Sequence, residues 1–203
     1  IFDVGSYRTD HSDLDALSFN LYSNGLALMP DVGLYTYEEG PYRSYFHGTK
    51  SHNTVVVDGK DQFAGEKIIG GSEKVYSGFF EEGDGYAYQS GEHELYQGVS
   101  HQRAIAMIEG STILIVDSLK SSSEHTYEQM FHLFPGAKIS VNGLTLTAKG
   151  KDSKQKLTIR QFITNGVELS TAIGEQNPPN GLCSLEYKVA VPCYSISYLQ
   201  KGQ

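Results

Sequence analysis

The run Val99-Ser-His-Gln-Arg-Ala-Ile-Ala-Met-Ile108, the pair Glu109-Gly110 and the run Thr112-Ile-Leu-Ile-Val-Asp-Ser118 decide the fold class. Two stretches rich in apolar and β-branched residues, with the turn signal Glu109-Gly110 between them, read as an antiparallel hairpin. The pattern repeats outward. Asn142-Gly143 joins candidate strands 138–141 and 144–148, and Asp58-Gly59 ends the Val-rich strand 53–57. Further strands read at 26–29, 34–37, 74–80, 85–89, 124–133, 157–164, 183–190 and 194–199. Residues 13–21 carry leucines at helical spacing, but Leu17, Phe19 and Leu21 also alternate, and Ser18 and Asn20 are poor helix formers, so this stretch is expected as a strand closed by Asn24-Gly25. Short strands with a turn signal after each one predict an all-β fold, a large two-sheet antiparallel β-sandwich without a helix of more than a few turns.

Composition agrees. Hydrophobic residues make up 39% of the 203, enough for a core, and tyrosine dominates the aromatics with 14 copies and no tryptophan. The net charge of −8 argues against nucleic acid and anionic membrane as partners, although local cations could still meet an anionic sugar. No run is long and apolar enough to suggest membrane insertion. The chain opens on the strand-like Ile1-Phe2-Asp3-Val4, so residues 1–203 are expected to be one domain of a longer protein. Cys183 and Cys193 could pair across two strands or stay as buried thiols, and the spacing decides neither.

Five of the seven histidines, His47, His93, His101, His125 and His132, stand singly and read as surface or satisfied core residues. The other two sit in richer surroundings. His11-Ser-Asp13-Leu-Asp15 places three metal- or proton-competent side chains at alternate positions, on one face if the chain is extended. His52 lies where a polar loop becomes a Val-rich strand, and Asp31 ends an apolar run before Gly33. One or two histidines with two or three aspartates suffice for a mixed nitrogen and oxygen metal site.

Four ordered blocks carry a family resemblance: His11-Ser-Asp-Leu-Asp-Ala-Leu-Ser-Phe19, Met29-Pro-Asp-Val-Gly-Leu-Tyr-Thr-Tyr37, Tyr42-Arg-Ser-Tyr-Phe-His-Gly-Thr49 and Ser51-His-Asn-Thr-Val-Val-Val-Asp-Gly-Lys-Asp-Gln62. They resemble the H-x-H-x-D-x-L-S-F, V-D-P-G-T-Y-T-Y, W-R-x-Y-F-R-S-T and A-H-N-T-V-V-V-D-G-x-D-Q motifs of heparinase II/III-like polysaccharide lyases. The resemblance implies a C-terminal β-sandwich that works with an N-terminal α/α toroid of the same protein, and a secreted, periplasmic or cell-envelope setting. It implies cleavage of an acidic, uronate-containing polysaccharide by β-elimination. Position by position, it makes His11 the catalytic histidine of the sandwich, Arg43 and Asn53 substrate contacts, and Asp13, Asp31 and His52 ligands of a divalent metal, commonly zinc. The family has histidine where this chain has Asp13, which moves preference toward Mn²⁺, Mg²⁺ or Ca²⁺. The alternative reading is a non-catalytic carbohydrate-binding or scaffolding sandwich with a degenerate metal site. The general base is expected outside this chain, so the 203 residues alone are expected to be inactive.

Overall fold

The computed structural model describes residues 1–5, 12–63, 74–150 and 156–203. In chain order its strands are β1 (Leu21–Ser23), β2 (Leu26–Met29), β3 (Val55–Val57), β4 (Val75–Gly83), β5 (Tyr86–Tyr96), β6 (Val99–Ile108), β7 (Thr112–Ser121), β8 (His125–His132), β9 (Lys138–Asn142), β10 (Thr145–Lys149), β11 (Lys156–Arg160), β12 (Glu168–Ile173), β13 (Glu175–Gln176), β14 (Pro179–Asn180), β15 (Leu182–Glu186), β16 (Val189–Pro192) and β17 (Tyr194–Gly202). One helix, α1 (Pro41–His47), and a 3₁₀ turn at Thr49–Ser51 lie between β2 and β3.

Two four-stranded antiparallel sheets form the sandwich, one in the order β12-β17-β8-β3 and the other the meander β4-β5-β6-β7. The quoted hairpin is β6-β7, and its Glu109-Gly110 turn has both residues at positive φ, 50° and 63°. They are the central pair of a left-handed turn closed by the Ser111 N–H on Ile108 O (3.3 Å), within a three-residue connection. Register pairs Ile105 with Ile115 and Arg103 with Asp117, which puts all four on one face of the sheet. This face points inward: Ile105 and Ile115 pack on the core of Phe131, Ile196 and Tyr198 from β8 and β17. A third sheet, β11-β10-β9, adds Leu146 and Ala148 to the same core.

The all-β sandwich therefore stands, with local corrections. The stretch 13–21 is not a strand. Ser18 turns back to Asp15 through its backbone N–H (2.9 Å) and its hydroxyl (2.7 Å), and Leu17 sits at φ 61°. A backbone N–H bonded within its own turn is not available to a ladder. Residues 34–37 form a loop, and helix α1, with Pro41 at its first position, was not expected. The single strand expected at 183–190 is the hairpin β15-β16, which turns at Lys188 with φ 60°. Cys183 and Cys193 form a disulfide.

A run of buried polar groups crosses the core. Arg103, without solvent exposure, donates from Nε to Asp117 Oδ1 (2.7 Å) and from one Nη to Oδ2 (2.9 Å). Its other Nη donates to the carbonyls of Leu17 (2.9 Å) and Asn53 (2.6 Å). Asp117 also accepts from His101 Nε2 (2.7 Å) and Gln129 Nε2 (2.6 Å), so each of its oxygens holds two donors. A carboxylate only accepts, hence His101 carries its proton on Nε2 and presents a bare Nδ1. His93 Nε2 donates to that nitrogen at 3.1 Å, and His93 Nδ1 accepts the Leu95 N–H at 3.3 Å. Both rings are thus held neutral. Burial pulls their basicity down, and in His93 the adjoining His101 and the Arg103 charge add to the effect. Burial opposes ionisation of Asp117, but Arg103 and His101 outweigh it and hold the carboxyl far below the usual range.

Candidate metal centre

Three loops converge beside β3. The first, 13–18, brings the aspartates of the alternating motif. The second, 30–38, carries Asp31. The third leads from α1 through the 3₁₀ turn to His52. Asn53 ties them together: its Nδ2 donates to the carbonyls of Phe19 (2.8 Å) and Pro30 (3.2 Å), and its Oδ1 accepts the His132 N–H (2.7 Å). Asn53 is 2% exposed, so the side chain expected to touch substrate is instead committed to backbone groups of three segments.

The Asp31 loop is braced from outside. Ser184 N–H donates to Val32 O (2.7 Å) and Lys188 N–H to Tyr35 O (2.8 Å), both from the disulfide-closed hairpin β15-β16. Val32, Phe46, Leu182 and both cysteines share one apolar cluster. Gly33 lies at φ 83°, and a Cβ there would meet Ser184 O at 2.1 Å, so only glycine admits this approach. The Gly33 N–H in turn donates to Asp31 Oδ1 (2.7 Å) and aims the carboxylate.

At the convergence, ligand-competent atoms of Asp15, Asp31 and His52 lie within 4.8 Å of one another. Asp31 Oδ2 stands 3.1 Å from His52 Nδ1, while His52 Nε2 is buried without a hydrogen-bond partner. The structure brings together Asp31 and His52 from the expected ligand set, and the third group in the cluster is Asp15, two residues beyond Asp13. Asp13 stands beside them, close enough for its charge to act on His52. His11 lies outside the described residues.

The electrostatics are those of crowded carboxylates around one imidazole. Burial raises the Asp13 carboxyl, which His52 and Arg43 lower and Asp31 and Asp15 raise again, to a pKa of about 6. Burial likewise raises Asp15. Burial opposes charge on Asp31 too, but the hydrogen bond and charge of His52 with the Gly33 N–H outweigh it and hold the carboxyl low. Burial would lower His52, yet the bond to Asp31 and the charges of Asp31, Asp15 and Asp13 lift it to about 9. Two carboxylates, an imidazole and an unpartnered buried ring nitrogen fit a divalent cation of mixed oxygen and nitrogen preference.

Helix α1 presents one cation, Arg43, and one imidazole, His47, which burial and the Arg43 charge push toward the neutral form. Arg43, expected as a substrate contact, acts electrostatically on Asp13 and lies 5.7 Å from the Tyr37 ring centre. His47, one helical turn later, feels Arg43 and His52, and its carbonyl accepts the Leu14 N–H at 3.0 Å. His132 is fully buried, donates from Nε2 to Lys50 O (3.1 Å), and is driven by burial and by His52 to a pKa of about 3. Sequence reasoning passed over His47, His132 and the role of Asp15. The signal for Asp15 was present in the alternation from His11. His47 needed the helix, and His132 needed the β3-β8 pairing.

Residues 1–190 match the family described as Heparinase II/III-like, C-terminal. A heparin-sulfate lyase of Bacteroides thetaiotaomicron is 27% identical over 174 residues, which are 81% of this chain and 23% of that protein. A heparan sulfate lyase of Pedobacter heparinus superposes with a TM-score of 0.84 at 16% identity, over 98% of this chain and 30% of that one. A heparinase III structure superposes with a TM-score of 0.79 at 19% identity, over 95% of this chain and 28% of that one. The chain thus spans less than a third of each of these relatives, and the superpositions show a shared fold.

Proposed function

The chain belongs to the heparinase II/III-like C-terminal family, and from that premise we propose that it is the sandwich part of a lyase that cleaves acidic, uronate-containing polysaccharide by β-elimination. The observation that supports this most is the convergence of Asp15, Asp31 and His52 beneath Arg43 and His47 of α1. Removing the C5 proton of a uronate builds charge beside a carboxylate, so the reaction needs fixed positive groups there. Arg43 offers a planar fork for that carboxylate, and His11 is the second candidate. The base that takes the proton is assigned to another part of the parent protein, such as a toroid across the cleft.

Asp31, His52 and one of Asp13 or Asp15 would hold a divalent ion, zinc first, with Mn²⁺, Mg²⁺ and Ca²⁺ favoured by the extra carboxylates. Bound there, the ion would supply positive charge that neutralises the carboxylates. It would tie loops 13–18 and 30–38 to the start of β3, keeping α1 aimed at the cleft.

The test is absorbance of the unsaturated uronate product from the full-length parent on heparan sulfate, hyaluronan and alginate. Turnover on one of them, reduced about 10²-fold in kcat/KM by Arg43→Ala, is expected. No turnover on any of them refutes the lyase reading. That result would favour a carbohydrate-binding module, a reading supported by Asp13 standing where the family motif has histidine.

A further inference from the structure

The sandwich has a cleft that shares no residue with the carboxylate–histidine cluster. It opens between the sheets where edge strand β7 faces the segment after β11, and has a volume of about 290 Å³. Its walls combine three glutamine side chains, Gln129, Gln161 and Gln200, with Tyr127 and Phe162. Tyr127 is 9% exposed and its buried hydroxyl has no hydrogen-bond partner. Phe162 is 76% exposed, and Ile163 beside it is 66% exposed. Among the described residues the one charged side chain in the lining is Asp117, and both its oxygens are filled by Arg103, His101 and Gln129.

We infer that this interlayer cleft binds one uncharged sugar ring, at Tyr127, the three glutamines and Phe162. An unpartnered buried hydroxyl costs stability unless something bonds it, so Tyr127 marks a place where a polar ligand atom is wanted. Amide groups both donate and accept, matching the hydroxyls of a pyranose. Phe162 supplies an exposed ring onto which the apolar face of a sugar can lie. Among the described residues no Lys or Arg lines the cleft, so a carboxylated or sulfated unit would enter without a counter-charge. The volume sits at the small end of ligand sites, about 300–1,000 Å³, and suits one ring. The source of the ring, an uncharged unit of the polysaccharide, rests on the proposed function. The chemistry of the cleft does not.

The experiment titrates the full-length parent with glucose, N-acetylglucosamine and glucuronate by saturation-transfer NMR. At least one uncharged sugar should bind, with a dissociation constant on the order of 1–10 mM, and glucuronate at least about fivefold more weakly. Tyr127→Phe should weaken that sugar about five- to tenfold without lowering the melting temperature, because it removes a hydroxyl that has no partner in the folded protein. Phe162→Ala should abolish binding, and Asp31→Asn should leave it unchanged. The inference is overturned if neither uncharged sugar binds at about 50 mM, if glucuronate binds best, or if Tyr127→Phe binds as the wild type does. A parent that binds the uncharged sugar but cleaves no polysaccharide keeps the inference and loses the proposed function. A parent that cleaves but binds no uncharged sugar does the reverse.

Discussion

Replacing Arg103 with methionine should be the most damaging single change in the core. The substitution keeps much of the aliphatic length and removes the guanidinium, leaving Asp117 buried without its principal partner. Breaking a buried ion pair from one side costs about 3–5 kcal/mol. The carbonyls of Leu17 and Asn53 lose their Nη donor as well, and an unsatisfied buried polar group costs about 1–3 kcal/mol. The groups are neighbours, so the terms do not simply add, and a loss of about 4–7 kcal/mol is expected. That is a large share of the roughly 5–15 kcal/mol that holds a domain folded. The double variant Arg103→Met, Asp117→Leu removes the orphaned charge and should recover a good part of the loss. It should not recover all of it, because His101 Nε2, Gln129 Nε2 and the two carbonyls still lack partners. Guanidinium unfolding followed by tyrosine fluorescence measures the wild type, the two single variants Arg103→Met and Asp117→Leu, and the double variant. A single variant that loses less than about 1 kcal/mol, or a double variant as unstable as the sum of the two singles, would refute the argument.

Asn53→Ala should cost about 2–4 kcal/mol in the same assay, since it strips partners from Phe19 O, Pro30 O and the His132 N–H. Stability should peak near neutrality. His93, His101 and His132 have lowered folded pKa values, so the unfolded chain binds more protons below about pH 6.5 and stability falls with pH there, while Asp13, held near 6, and Asp15, also raised by burial, oppose it. His52, raised to about 9, contributes fully below about pH 6.5 and loses its contribution as pH rises through 9; melting temperatures from pH 4 to 10 test both limbs. Zinc binding at pH 7 should release close to one proton from His52, measurable as a dependence of calorimetric heat on buffer ionisation enthalpy, and no such dependence would remove His52 from the ligand set. Cys183→Ser with Cys193→Ser should cost about 2–4 kcal/mol and weaken metal binding, because hairpin β15-β16 braces the Asp31 loop.

The sandwich was legible because its strands keep turn signals at their ends: Glu109-Gly110 and Asn142-Gly143 sit where β6-β7 and β9-β10 turn. The parts misread are those whose backbone bonds go elsewhere than to a regular ladder. Residues 13–18 fold on Asp15 and Ser18, and residues 34–37 bond to a hairpin some 150 positions away, which no local pattern reports. Strand β12 escaped notice because Glu168–Ile173 faces largely solvent and lacks an apolar run. At the candidate centre, Asp31 and His52 were readable from motif position. The choice between Asp13 and Asp15 was not, because it depends on the turn at Leu17. The buried run from Arg103 to His93 left no trace in the sequence, since charged residues within a strand ordinarily read as its solvent face.

The reach of Asn53 bears on how the protein is made. Its side chain and carbonyl join residues 19, 30, 103 and 132, so the loops beneath α1 cannot settle until both sheets have paired. Such long-range closure comes late in folding. A peptide cut from the motif region would therefore carry the aspartates and the histidine without their arrangement. An ion taken up by these loops would bind only the finished sandwich, and would raise its stability in proportion to the logarithm of the ion concentration over its dissociation constant. Uptake of metal during refolding would then serve as a clock for the last step of assembly.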